Sequence, residues 1–239
     1  MTPPFTPHAV VELRQYTLHP GRRDDLVALF DREFVAPQEA CGIAVLGQFR
    51  DLDAPDRFVW LRGFTSMAAR ADALTQFYDG PVWRAHRDAA NATMIDSDDV
   101  LLLRPADAWP TPSIDAWQRD ANTSPAGALV AIVVGCASTP SNALIAAIDA
   151  GFAPAITTTG ASVAGRFVTE PARNTFPRLP VREGIHVAVW LLRTADVSAC
   201  TQLADAIGAL DLGRLASAAG NPIESIQLLR LAPTAASRF

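Results

Sequence analysis

Apolar and polar residues alternate over residues 9–18. Val11 and Leu13 fall on one side, Glu12, Arg14 and Tyr16 on the other, and His19-Pro20-Gly21 stops the run. A period of two marks a strand whose successive side chains point to opposite faces. The period then lengthens: Leu26, Leu29, Phe30 and Phe34 recur at helical spacing behind Asp24 and Asp25, whose charges suit a first turn, and Pro37 and Gly42 are expected to end that helix. Two extended runs, 44–52 and 57–64, flank Asp53-Ala54-Pro55-Asp56, a turn signal that predicts a hairpin. Ser66 is placed to cap a second helix, with Met67, Ala71, Leu74 and Tyr78 on one face as far as Asp79-Gly80-Pro81. A helical piece over 83–92 and a strand over 99–104 complete the order βαββαβ, a ferredoxin-like unit.

The same order returns after an interruption. Pro105, Pro110, Pro112 and Pro125 stand among Ala, Asp, Thr and Ser, so 106–126 reads as a linker. Beyond it come a strand over 128–136, a helix over 141–152, strands over 162–169 and 185–193, a helix over 197–210 and a strand over 224–231. Val45-Leu46-Gly47-Gln48-Phe49 is echoed by Val163-Ala164-Gly165-Arg166-Phe167, and Leu102-Leu103-Arg104 by Leu228-Leu229-Arg230. Both separations are close to half the chain, which indicates an internal duplication. The expected class is α+β, with two tandem ferredoxin-like βαββαβ units at 9–105 and 127–233, a flexible arm over 1–8 and a tail over 234–239.

Composition narrows the chemistry. All 20 basic residues are arginine, so no lysine is present to form a Schiff base, act as a general base or hold a phosphate in a P-loop. A net charge of −5 with scattered arginines offers no stripe for nucleic acid. Cys41, Cys136 and Cys200 are isolated and odd in number, which fits reduced thiols. The start lacks the basic and apolar regions of a signal peptide, and no apolar run approaches a membrane span of ~18 residues. A cytoplasmic location is expected.

Certain residues carry a family resemblance. Glu12-Leu13-Arg14-Gln15-Tyr16-Thr17-Leu18-His19-Pro20-Gly21 resembles the opening motif of NIPSNAP-family proteins. Phe58-Val59-Trp60-Leu61-Arg62-Gly63-Phe64, Met67-Ala68-Ala69-Arg70 and Pro81-Val82-Trp83 resemble that family's second block. The second half has Ala131-Ile132-Val133-Val134 where the opening motif would fall and reads as a diverged copy. The resemblance implies a dimeric α+β barrel, in which two ferredoxin-like units pair their antiparallel sheets, within one chain or between chains. That fold includes cofactor-free monooxygenases, lactone isomerases and haem-using enzymes, but fold alone assigns no reaction.

Two constellations carry candidate chemistry. Glu12, Arg14 and Tyr16 share one sheet face, and if Val11 and Leu13 pack on the helices the polar set lines the barrel, with Arg62 and Trp60 nearby. Arg14 would then hold an anionic or enolate-like substrate oxygen while Glu12 or Tyr16 moves a proton. The bland reading is a buried ion pair that orders the interface between sheets. Trp83 and His86 share a helical face, where His86 is a general base or haem ligand and Trp83 an aromatic wall, or else both are packing residues. Asp96, Asp98 and Asp99 lack the glycine and terminal glutamate of a calcium loop, and no metal site is expected. Gly160 to Gly165 lacks the lysine of a phosphate loop. The loop over 170–183, with three prolines and three arginines, is either a lid over the second unit or an exposed hairpin loop.

These readings point to a small-molecule enzyme of the cofactor-independent monooxygenase or isomerase type, with its site in the N-terminal unit and no cofactor. The alternative is a non-catalytic binding or assembly module with a filled barrel. Expected partners are a small-molecule ligand and a second copy through sheet faces or a homo-oligomer.

Overall fold

The period-two runs are strands and the longer-period runs helices. The computed structural model describes residues 8–106 and 127–239, so the expected arm and linker lie, apart from His8 and Ala106, outside the described residues. The first unit runs β1 (Val10–Leu18), α1 (Arg23–Leu29), a π-helical turn (Phe30–Phe34), α2 (Val35–Ala40), β2 (Ala44–Asp51), β3 (Arg57–Phe64), α3 (Met67–Tyr78), α4 (Pro81–Asn91) and β4 (Met94–Pro105). The second repeats this order as β5 (Ala128–Cys136), α5 (Asn142–Thr159), β6 (Ser162–Thr169), β7 (His186–Thr194), α6 (Val197–Gly208), α7 (Leu212–Ala218) and β8 (Ile223–Pro233).

Two helices differ from their expected ends. The first helix continues past Pro37 to Ala40, because the π-turn restarts the helix at Val35 and leaves Pro37 in a first turn, where a missing N–H costs little. The helix expected to end at Phe152 runs through Pro154, which faces solvent, while Leu144, Ile145, Ile148 and Phe152 hold the other side in the core.

The eight strands close into one barrel in the order β1-β3-β2-β8-β5-β7-β6-β4. Two four-stranded sheets meet at two seams, Phe49–Asp51 of β2 against Leu231–Pro233 of β8, and Leu103–Pro105 of β4 against Phe167–Thr169 of β6. Exchanging the units exchanges the seams, so the molecule has an approximate twofold axis. The pairing of units occurs within the chain. One β-bulge also corresponds: the β2–β3 register shifts between Val45 and Gly47, and the β6–β7 register between Val163 and Gly165.

Three cores result. Val11, Leu13, Val59, Leu61, Leu129, Ala131, Leu191 and Leu229 fill the barrel from both units. Tyr16, Trp60, Phe30, Phe34 and Leu74 pack between the first sheet and its helices, and Ile132, Trp190, Phe152 and Leu203 do so in the second unit. This reverses the expected faces of β1: Val11 and Leu13 point into the barrel, and Glu12, Arg14 and Tyr16 lie in the sheet–helix layer. Both faces of β1 are buried, so alternation separates the two sets without showing which faces which layer. The polar set lies where α2, α3 and a loop of the second unit supply hydrogen-bonding partners. Among the described residues no helix is long and apolar enough to cross a membrane.

Candidate functional site

Strand register places the polar residues as a grid on the helix-facing side of the first sheet. Glu12 sits opposite Arg62, Arg14 opposite Trp60, and Trp60 opposite Gln48. Glu12 is wholly buried and receives three arginines. Its Oε2 accepts from Arg14 Nη1 at 2.6 Å and Arg62 Nε at 2.8 Å, and its Oε1 from Arg70 Nε of α3 at 2.6 Å. Burial by itself would raise the Glu12 carboxyl, but the Arg62, Arg14 and Arg70 guanidiniums outweigh it and hold the group well below the ordinary carboxylate range. Glu12 is therefore a fixed anion and a poor proton acceptor.

Three guanidiniums around one carboxylate leave two positive charges in excess, on side chains at most 1% exposed. Part of the cationic surface is spread over aromatic faces: the Arg14 and Arg62 guanidinium carbons lie 5.6 and 5.0 Å from the Trp60 ring centroid. Arg14 Nε donates to the Tyr16 hydroxyl at 3.0 Å. Burial pushes the Tyr16 phenol up, so it stays protonated and keeps its own O–H to donate.

Several polar atoms in this layer remain without a hydrogen-bond partner among the described residues: Arg62 Nη2, Arg70 Nη2, Trp60 Nε1 and both amide atoms of Gln48. Arg62 Nη2 is 2.8 Å from Glu12 Oε2 but is not aligned for a hydrogen bond. Buried donors left unpaired are costly, and here four of them, with the Gln48 amide oxygen, lie in one layer. The second unit lacks this array, with Val130 and Ile132 at the places of Glu12 and Arg14, and Leu192 at that of Arg62.

The loop between β6 and β7 covers the array, but over the first unit rather than the second. Arg70 Nη1 donates to Asn174 Oδ1 at 3.0 Å and Thr175 Oγ1 at 3.2 Å, and Thr175 bonds the Met67 carbonyl of α3 at 3.1 Å. Phe176 is buried with its ring 5.8 Å from that of Tyr78, and Arg178 pairs with Asp79 at 2.9 Å. A cleft of about 410 Å³ runs beneath this strap, lined among others by Arg104, Arg173, Arg182 and Leu102, the residue paired with Glu12.

His86 and Trp83 stand apart from the arginines. His86 is half-buried on α4, with Nε2 3.5 Å from Glu33 Oε2 and its ring 6.3 Å from Phe34. Contacts from Phe34 to Phe30 and from Phe30 to Trp60 link it to the array. Trp83 packs on Phe34, Phe77 and Tyr78. Burial pushes the thiols of Cys41, Cys136 and Cys200 up, away from nucleophilic use. Among the described residues no three His, Cys, Asp or Glu side chains are grouped to hold a metal.

Sequence reading thus assembled Glu12, Arg14, Tyr16, Arg62 and Trp60 and missed Arg70, Gln38 and Gln48. Arg70 carried a signal: it falls on the buried stripe of α3 with Ala73, Leu74 and Phe77, where a charge demands a partner. Gln38 Nε2 donates to the Phe34 carbonyl at 3.1 Å and its Oε1 is 3.4 Å from Arg62 Nη1, a placement that depends on the π-turn.

Residues 11–110 match the family model described as NIPSNAP. Over that stretch the N-terminal unit is similar to NIPSNAP proteins. A NIPSNAP family protein from Agrobacterium tumefaciens is 22% identical over 42% of this chain and 89% of its own, with a TM-score of 0.39. The two units together resemble candidate monooxygenases from Fusobacterium nucleatum and Lactobacillus acidophilus. The first is 6% identical, with 94% of this chain and 91% of the other covered and a TM-score of 0.56. The second is 9% identical, with 94% and 93% covered and a TM-score of 0.51. At these identities the likeness establishes the fold alone. No curated protein matches the chain significantly.

Proposed function

We propose that the chain is a small-molecule enzyme of the cofactor-independent oxygenase or isomerase type, acting on a substrate that is, or becomes, a carboxylate or enolate in the sheet–helix layer of the N-terminal unit. The observation that carries this reading is the excess of two buried positive charges on three arginines around Glu12, with guanidinium nitrogens left without hydrogen-bond partners. Such an array, fixed before the substrate arrives, stabilises negative charge as it develops in a water-poor site.

The roles follow from the contacts. When a proton leaves carbon beside a carbonyl, the C–H electron pair becomes a C=C bond and the carbonyl π pair moves onto oxygen, and Arg62 and Arg70 are the donors for that oxyanion. Arg14 and the Tyr16 hydroxyl add a second edge, Trp60 is the wall, and Glu12 keeps the arginines in place. His86, beside Glu33 and Trp83 and apart from the arginines, is assigned the proton acceptor's role by elimination, since Tyr16 keeps its proton and Glu12, an anion paired with three arginines, is too weak a base. The fold relatives described as candidate monooxygenases are consistent with this class.

A thermal-shift screen of small carboxylates and enolisable diketones tests it. At about 100 times the dissociation constant an anionic ligand should raise the melting temperature by roughly 5–10 °C. Arg62→Met, or Arg14→Met if the first does not fold, should abolish the shift. Equal shifts from neutral isosteres, or none from any anion, would overturn the reading.

A further inference from the structure

The approximate twofold axis allows the two sheet–helix layers to be compared residue by residue. Trp60 pairs with Gln48 across β2–β3, and Trp190 pairs with Arg166 across the equivalent β6–β7 ladder. In the second unit the indole is satisfied: Trp190 Nε1 donates to Asp149 Oδ1 of α5 at 2.9 Å, and Arg166 Nε donates to the same oxygen at 2.8 Å. One carboxylate oxygen thus closes both the indole and its cross-strand neighbour. In the first unit Trp60 is 1% exposed and Gln48 wholly buried, yet Trp60 Nε1, Gln48 Nε2 and Gln48 Oε1 have no partner among the described residues.

Resting on the anion reading above, we infer that Trp60 and Gln48 form a specificity subsite for a hydroxylated carboxylate or its enol, whose oxygen supplies the acceptor that Asp149 supplies to Trp190 in the other unit. Trp60 Nε1 and Gln48 Nε2 are donors to that oxygen. Gln48 Oε1 can only accept, so the ligand must also bring a donor. A hydroxyl next to the charged group both donates and accepts, whereas a bare carboxylate leaves Gln48 Oε1 unpaired, and a site built for a hydroxyl rejects an analogue that lacks it. Arg14 and Arg62, on either side of Trp60 in the grid, hold the charged end.

The test uses two matched pairs, lactate against propionate and salicylate against benzoate, titrated into the ¹⁵N-labelled full chain. The reporter is the Trp60 indole N–H resonance, assigned by its loss in Trp60→Phe. The hydroxylated member of at least one pair should bind on the order of tenfold tighter and move that resonance. In Gln48→Leu the preference should fall to about twofold or less with affinity for the plain carboxylate kept, and Gln48→Met serves if the first variant does not fold. Binding without hydroxyl preference, a preference that survives loss of the amide, or an unmoved Trp60 resonance would overturn this inference and leave the anion reading standing. If no carboxylate binds wild type, both fall together.

Discussion

Replacing Glu12 with glutamine takes away the carboxylate that three buried guanidiniums share. Uncompensated buried charge is strongly destabilising, so Glu12→Gln should cost about 3–5 kcal/mol in denaturant unfolding. A cost below about 1 kcal/mol would show that the cluster is not the closed network its hydrogen bonds indicate. The pH dependence follows from the same contacts. The folded carboxyl is held far below its ordinary value of about 4.5, so the stability it supplies is complete above about pH 5 and declines as the pH falls toward the folded value. Wild-type stability should therefore fall steadily below pH ~5, and the curve of Glu12→Gln should be flatter over that range. At this scale the sequence was legible in part. Alternation put Glu12, Arg14 and Tyr16 on one face, and Arg62 was read beside them. It could not show that the face looks toward the helices, because the barrel filling on the other side of β1 is equally buried. Gln48 and Arg70 were overlooked because one sits in a strand and the other in a helix whose remaining residues read as ordinary core.

Among the elements, β3, β5 and β6 occupy the spans the hydrophobic pattern predicts. Their runs are bounded by turn residues and rich in β-branched and aromatic side chains. The π-turn at Phe30–Phe34 was not visible, since one extra residue in a helical turn barely changes an apolar stripe, yet it brings Phe30 onto Trp60 and sets Gln38 against Arg62. The strap was legible as a loop with prolines and arginines, but its destination was not, because its partners lie about a hundred positions away, in α3. Asn174→Ala should remove an acceptor from Arg70 Nη1 and loosen the strap. Amide exchange over 170–184 and the start of α3 should quicken while β1 and β3 stay protected. Unchanged exchange in the strap would mean that Phe176 and Arg178 alone anchor it. Gly47 marks a tight packing point: a Cβ there would lie 2.7 Å from the Phe49 ring and 2.9 Å from that of Phe239. Gly47→Ala should destabilise the fold by about 1–3 kcal/mol in the same denaturant assay, and a neutral result would show that the two rings move aside.

At the scale of the whole molecule, two units that each leave two sheet edges and a sheet face uncovered complete one another inside one chain. The echo of Val45–Phe49 in 163–167 coincides with a repeated element order, and both segments carry a β-bulge at the equivalent place. Because barrel closure is intramolecular, its melting temperature should not depend on protein concentration, and a rise with concentration would indicate closure between chains. The repeated order also makes the proposed asymmetry between the units measurable. The second unit satisfies its tryptophan with Asp149 and carries apolar residues where the first has Glu12, Arg14 and Arg62. Calorimetric titration of a small carboxylate identified in the screen is the most direct measurement, made on wild type, Arg62→Met and the second-unit variant Leu192→Met. The expected result is one site per chain, lost in Arg62→Met and retained in Leu192→Met. Two sites per chain, or binding that survives Arg62→Met, would contradict an anion site in the first unit.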